Sequence, residues 1–203
     1  MATQAERRTA TTEALLAAAR DAFVRDGFTA TSVDDVAARV GMSKGAVYHH
    51  YSSKTDLFRA VFEVVEAELQ QRVIRRAARV TDPLEQIIAG NDAFLDAATE
   101  PAMARITLIE APAVLGWTLF REIDEQYFMG LLMASMAAAI GARRADEAAR
   151  LQARVAFAGL CELAVAVATS DHPSRTLKLA KVESRRLVRG LIDQTLRAQS
   201  QVR

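Results

Sequence analysis

The sequence predicts an all-α protein in two parts: an N-terminal three-helix unit carrying a helix-turn-helix, and a larger C-terminal helical unit. Three observations predict it. Proline and glycine are scarce, four and nine in 203 residues, while Ala, Leu, Arg and Glu abound; the former break helices and the latter form them well. Apolar residues recur at spacings of three and four along most of the chain. Where that periodicity stops stand Gly27, Gly41, Ser52-Ser53, Asp82-Pro83, Glu100-Pro101 and Asp171-His172-Pro173, which are helix start and stop signals.

Taken in order, residues 1–8 are polar and are expected to form a disordered arm. A first helix follows over about 9–26, with Leu15, Ala18, Ala19 and Phe23 inward, and Gly27 stops it. Ser32 can cap a second helix, accepting from an otherwise unpaired backbone N–H, and Val33, Val36, Ala37 and Val40 give it one apolar face. Gly41 supplies a left-handed residue after its end, Met42 plugs the corner and Ser43 caps a third helix. Ser52-Ser53-Lys54-Thr55-Asp56 opens a long helix to about residue 80, with Leu57, Phe58, Val61, Phe62, Val65 and Leu69 at core spacing. Pro83 begins another at a first helical position, reaching to about 98. A short helix over 102–110 follows Pro101, Ala111-Pro112 bends the chain, and a further helix runs from Trp117 past Met136. Residues 141–145 connect to two long helices, about 146–170 and 176–199. No repeats or low-complexity segments occur.

The third helix carries the functional signal. Val47 is its only sizeable aliphatic residue; Ser43, Lys44, Gly45, Ala46, Tyr48 and His49 leave the rest small or polar. A core hairpin would not leave its second helix so poor in large apolar side chains. A small residue at Ala37, glycine four on and an aliphatic six further is helix-turn-helix spacing, and in that motif the second helix enters the major groove of DNA. Lys44, Gly45, Ala46 and Tyr48 are expected to face bases. Thr31, Ser32, Ser43, His49, His50, Tyr51 and Lys54 are expected at phosphates or in helix placement, and Arg7 and Arg8 could touch phosphates from the arm.

Residues 23–28 (FVRDGF), 31–37 (TSVDDVA) and 40–58 (VGMSKGAVYHHYSSKTDLF) closely resemble the DNA-binding domain of the TetR family of transcriptional regulators. Tyr51 stands where phenylalanine is commonest, and Val33 where a polar residue or another aliphatic often sits. Beyond about residue 60 the likeness is one of length and helical character. The resemblance implies a DNA-binding domain over 1–53 and a ligand-binding and dimerisation domain over 54–203, with 54–80 as the connector helix. It implies a repressor released from a palindromic operator in double-stranded DNA by a small-molecule effector, and a homodimer joined by its last two helices. Those helices are amphipathic, with Val155, Gly159, Leu160, Leu163 and Val167 lining one and Leu177, Leu187, Leu191 and Ile192 the other. The effector is expected within 80–170, where aromatic and polar residues intermingle: Phe94, Arg105, Glu110, Trp117, Phe120, Arg121, Tyr127, Phe128 and Glu162. Two rival readings are a DNA-binding regulator controlled by a protein partner and a helical protein-interaction module.

Composition narrows the rest. Apolar content of 51% and charged content of 25% suit a globular protein. Net charge is +1, with eight basic and seven acidic residues in the first 60, so DNA binding must rest on a local face. The final helix shows a basic face (Lys178, Lys181, Arg185, Arg186, Arg189) expected to be solvated. Cys161 is alone, which excludes an internal disulfide and suits a reducing compartment, and it is expected as a small buried hydrophobe. There is no signal-peptide pattern and no uncharged apolar run of membrane-spanning length, so a cytoplasmic protein without membrane partners is expected. No glycine-rich phosphate loop, Gly-x-Ser-x-Gly elbow or Cys-x-x-Cys pair is present. Neighbouring His49 and His50 diverge by about 100° on a helix. No catalysis, cofactor or metal is expected.

Overall fold

A computed structural model describes residues 3–141 and 147–201; among them nine α-helices and one π-helical segment occur, and no strand. Helix α1 (Gln4–Ala30) opens on a capping box: the Thr3 hydroxyl accepts from the Glu6 N–H at 3.2 Å, and the Glu6 carboxylate from the Thr3 N–H at 2.6 Å. Two backbone donors are thereby satisfied reciprocally. The helix therefore starts well before residue 9, which corrects the expected arm; residues 1–2 lie outside the described residues. Gly27, at φ 80° and ψ 168°, breaks the helical run as expected.

Helices α2 (Val33–Arg39) and α3 (Lys44–His50) take the expected caps, Ser32 accepting from Asp35 and Ser43 from Ala46, with Gly41 between them at φ 67°. Helix α4 (Lys54–Ala77) is capped by Ser53 and spans about 36 Å. Helix α5 (Pro83–Ala97) begins with Pro83 behind an Asp82 cap. Next, the predicted short α-helix is instead π-helical over Met103–Glu110 and runs straight into α6 (Ala111–Leu115). Pro112 sits in the first turn of α6. Gly116, at φ 77°, makes the break before α7 (Trp117–Ala139). Helices α8 (Glu147–Ala168) and α9 (Pro173–Gln201) complete the chain. Most of the expected connection over 141–145, and the expected helix start at Asp146, lie outside the described residues.

Two buried clusters organise these elements. One joins α1–α3 to the first half of α4 and extends to Ile106, Ala111, Phe120 and Ile123, so the N-terminal core is continuous with the C-terminal helices. The other packs the rest of α4 with α5, α7, α8 and α9 around Phe94, Phe128 and Phe157. The basic face of α9 is at the surface as expected, with Lys178, Arg185, Arg186 and Arg189 exposed, and Lys181, Arg185 and Arg189 pair from it with Asp96 (2.5 Å), Asp92 (2.5 Å) and Glu85 (2.8 Å) of α5. Spacing of four on α9 lines them up as a ladder along its partner helix. Ala149–Ala168 is long and apolar enough by length and composition to cross a membrane, with mean hydropathy 1.6, but it carries Arg150, Arg154 and Glu162 and so is not an uncharged run. In the fold, Ala153, Ala156, Phe157, Leu160, Ala164 and Val167 of that stretch are core.

Candidate DNA interface and effector site

Helix α3 is held from beneath by Val47, 1% exposed, and shows the opposite face to solvent. Ser43, Lys44, Gly45, Tyr48 and His49 are outward; Ala46, His50 and Tyr51 are half-buried. Tyr48 is 41% exposed, and Gly45 has only the Ser43 hydroxyl, 4.0 Å away, near its side-chain position, so a DNA backbone or base can approach closely. Lys44 Nζ lies 2.8 Å from Asp34 on α2, which aims the side chain and raises its pKa through that hydrogen bond. Burial raises the pKa of the Tyr51 phenol.

Three of the residues expected at phosphates or in helix placement have structural duties. Thr31 is buried and its hydroxyl donates to the Gly27 carbonyl at 2.7 Å. The Ser32 hydroxyl accepts from the Asp35 N–H as the α2 cap. Lys54 donates from Nζ to the carbonyls of Phe28 (2.8 Å), Thr31 (3.1 Å) and Thr29 (3.2 Å), and lies 4.6 Å from the Phe28 ring centre. An ammonium has three donors, so none is left for a phosphate. Lys54 thus fastens α4 to the end of α1. Lys54→Met keeps the stem and removes the donors, so a urea melt is expected to show a loss of about 1.5–3 kcal/mol; unchanged stability would deny the contact that role.

Arg105 and Glu110, expected in a pocket, grip the same end of α1 from the π-helical segment. Arg105 Nη1 donates to the carbonyls of Val24 (3.0 Å) and Arg25 (3.1 Å), and Glu110 Oε2 accepts from the Phe28 N–H at 2.9 Å. The two side chains also meet, Nε to Oε1, at 3.4 Å. Their clamp closes over Gly27, where a Cβ would lie 2.5 Å from Arg105 Nη2 and 2.6 Å from Glu110 Oε1. The DNA-facing unit is therefore tied to the C-terminal helices through both α4 and the π-helical segment.

A cavity of about 50 Å³ lies between α4, α5, α7 and α8, bounded by Val73, Ile87, Phe94, Phe128, Phe157 and Leu160 among others. It exceeds the space one water needs, about 10–15 Å³, but side chains must move to admit a larger molecule. Of the residues expected at an effector, Phe94 and Phe128 line it. Trp117 is 67% exposed and Glu162 is also exposed. Phe120 packs on Phe62 in the N-terminal cluster at 5.8 Å, and Tyr127, half-buried, accepts at its backbone carbonyl from Gln70. Arg121 is bonded to Asp124 (3.1 Å) and Glu125 (3.0 Å), with its guanidinium 5.3 Å from the Phe157 ring centre.

Residues 84–191 match the family described as Tetracyclin repressor-like, C-terminal domain, and residues 15–61 match Bacterial regulatory proteins, tetR family. The chain belongs to the TetR family. A TetR-family transcriptional regulator from Pectobacterium atrosepticum, solved as a crystal structure, is 30% identical, covering 94% of this chain and 97% of that one with a TM-score of 0.73. The HTH-type transcriptional activator FasR of Mycolicibacterium smegmatis is 37% identical over 82 residues, 40% of this chain and 37% of that protein, so the matched stretch spans little more than a third of its length. The regulator FadR from Bacillus subtilis, solved in complex with stearoyl-CoA, shares the fold at 15% identity, covering 89% and 97% of the two chains with a TM-score of 0.68.

In this TetR-family chain sequence reasoning missed the most unusual group, two buried carboxyls. Glu66 on α4 is 0% exposed and Asp124 on α7 is 2% exposed. Among the described residues the Thr107 hydroxyl, buried beside Glu66 on the π-helical segment, is the one group placed to hydrogen-bond the Glu66 carboxyl. Burial, and then the Asp124 charge, push the Glu66 carboxyl well above the usual range. Burial raises Asp124 to about 7, with Arg121 opposing. Burial and the Asp124 charge also raise the Cys161 thiol, which leaves it an inert, half-buried side chain rather than a reactive thiolate. The overlooked signal was a carboxylate on an apolar stripe: Phe62, Glu66, Leu69 and Val73 on α4, and Phe120, Asp124 and Phe128 on α7.

Proposed function

We propose that the chain is a sequence-specific transcriptional regulator that acts as a homodimer in the cytoplasm and represses from a palindromic operator until a small molecule releases it. One observation carries the reading: α3 is anchored by Val47 alone and presents Lys44, Gly45, Tyr48 and His49 to solvent, a helix with one inner contact and an outer face fit for a groove. Family membership supports the same reading. An effector lodged between α4, α5, α7 and α8 moves α4 and the π-helical segment. Lys54, Arg105 and Glu110 carry that movement to α1, and the two recognition helices leave register. By linkage, DNA must weaken effector binding by the factor that effector weakens DNA binding. Selection from a random pool of duplexes is expected to return a twofold-symmetric site with half-sites about 34 Å apart; no enrichment would overturn the proposal.

Dimerisation is supported by apolar side chains left outward on the last two helices. Leu151 and Val155 of α8 and Leu179, Val182 and Leu196 of α9 are 42–60% exposed. Several residues expected to line a partner are consumed internally: Leu160, Val167 and Ile192 are core, and a Cβ on Gly159 would lie 2.7 Å from Leu187 Cδ2. Leu179→Glu leaves the core untouched. It is expected to give a monomer in sedimentation and to weaken operator binding on the order of a hundredfold, the scale of lost bivalency. A variant that stays dimeric with full affinity would move the interface elsewhere.

A further inference from the structure

The cavity between α4, α5, α7 and α8 is graded from floor to rim. Phe94, Phe128, Phe157 and Leu160 are buried and form its floor, whereas Gln86, Asn91 and Ser135 at its rim are half-buried. The three phenyl rings pack on one another, with centroids 5.5 Å (Phe94 to Phe128), 5.9 Å (Phe128 to Phe157) and 6.4 Å (Phe94 to Phe157) apart, distances at which aromatic pairs attract. The free space, about 50 Å³, is roughly a third of an apolar cavity that takes benzene. A slim alkyl chain therefore asks less movement of these walls than a ring does.

No charged residue lines the cavity among the described residues. Arg121 lies 5.3 Å from the Phe157 ring centre but is paired with Asp124 and Glu125. A ligand ion would leave water here without a counter-charge, which is unfavourable. What the rim offers is neutral hydrogen bonding. Gln86 Nε2 donates to the Val80 carbonyl at 2.8 Å, and Asn91 Nδ2 to the Ser184 hydroxyl at 3.0 Å. Among the described residues nothing donates to the side-chain oxygens of Gln86 and Asn91, and the Ser135 hydroxyl has no partner. Two acceptors and one hydroxyl suit a group that both donates and accepts, as an alcohol does.

We infer that the effector is an uncharged amphiphile, with a slim alkyl chain in the cavity against Phe94, Phe128 and Phe157 and a hydroxyl at Gln86, Asn91 and Ser135. An ammonium would find the acceptors but no counter-charge. A carboxylate would meet two carbonyl oxygens that repel it. Gly90 of α5 sits so close to α4 that a Cβ on it would lie 3.2 Å from Val73 Cγ1. A chain entering beside Val73 thus displaces α4, the helix that Lys54 fastens to α1. This inference rests on the effector-released reading proposed above and names the class of its ligand.

The test titrates the full-length protein at neutral pH, by calorimetry, with straight-chain alcohols from butanol to octanol. Beside each stand the amine and the carboxylate of equal length, and cyclohexanol is compared with hexanol. The alcohols are expected to bind at least about tenfold tighter than either ion. Each added methylene should tighten binding about fourfold until the cavity is full, and hexanol should exceed cyclohexanol several-fold. Ser135→Ala is expected to weaken the alcohols about two- to tenfold, the scale of one neutral hydrogen bond. Ala77→Leu, which adds bulk at another half-buried lining position, is expected to weaken them at least about tenfold. Melting curves establish that both variants fold. Ions binding as tightly as alcohols, cyclohexanol matching hexanol, no binding across the series, or a folded variant that binds like the wild type would each overturn the inference. Operator selection is measured separately without any probe. A chain that selects an operator yet ignores alcohols sinks this inference alone; one that selects no operator sinks the functional proposal.

Discussion

Gly27→Ala is expected to be among the most damaging single-methyl changes in the chain. At φ 80° and ψ 168° the backbone lies in a region essentially reserved for glycine, which alone costs an alanine about 1–3 kcal/mol. The added Cβ also meets Arg105 Nη2 at 2.5 Å and Glu110 Oε1 at 2.6 Å, so those side chains must swing away. Their bonds to Val24, Arg25 and Phe28 then open. Thermal unfolding should show the stability loss. Arg105→Ala breaks the clamp without backbone strain and separates the two effects: it should lose less stability but the same communication between effector and DNA. If Gly27→Ala melts like the wild type, the clamp geometry described here is wrong.

The second large effect is a dependence of stability on pH set by the buried carboxyls. Asp124 is raised from 3.8 to about 7 and Glu66 is raised as well. Between the unfolded and folded values the native state binds more protons than the unfolded one, so stability falls as pH rises through that window. For Asp124 the window is about pH 4 to 7, and the difference is on the order of 4 kcal/mol at 1.36 per unit. The wild type is therefore expected to lose stability relative to Asp124→Asn as pH climbs from 4 to 8. Glu66→Met is expected to melt higher than the wild type at pH 8, because an apolar side chain replaces a desolvated carboxyl. Parallel pH profiles for the three proteins would contradict this account.

The caps and turns were legible because their signals are local. Ser32, Ser43, Ser53, Asp82 and Gly41 each act within a few residues, and each stands in its expected role. The N-terminal capping box was equally local and was overlooked because the polar residues around it read as a tail. Residues whose partners lie far along the chain could not be given those partners from the sequence. Arg105 and Glu110 reach back about 80 positions to α1, and Lys54 finds its carbonyls 23–26 positions away. A charged side chain among aromatics suggests a pocket, and nothing local shows that the backbone of another helix will take its donors. Nor was the π-helical turn over Met103–Glu110 legible in the sequence, which reads there as an ordinary short helix.

The central claim is that the face of α3 bearing Tyr48 reads DNA. The most direct measurement is the affinity of wild type and Tyr48→Ala for one selected operator and for unrelated duplex across a salt series. The account predicts tight operator binding by the wild type, weakening with salt at about 0.9 logarithmic units per phosphate contacted. It predicts a loss of at least about tenfold for Tyr48→Ala on the operator, with binding to unrelated duplex little changed and the melting curve intact. Equal affinity for both duplexes, unaffected by the substitution, would contradict it.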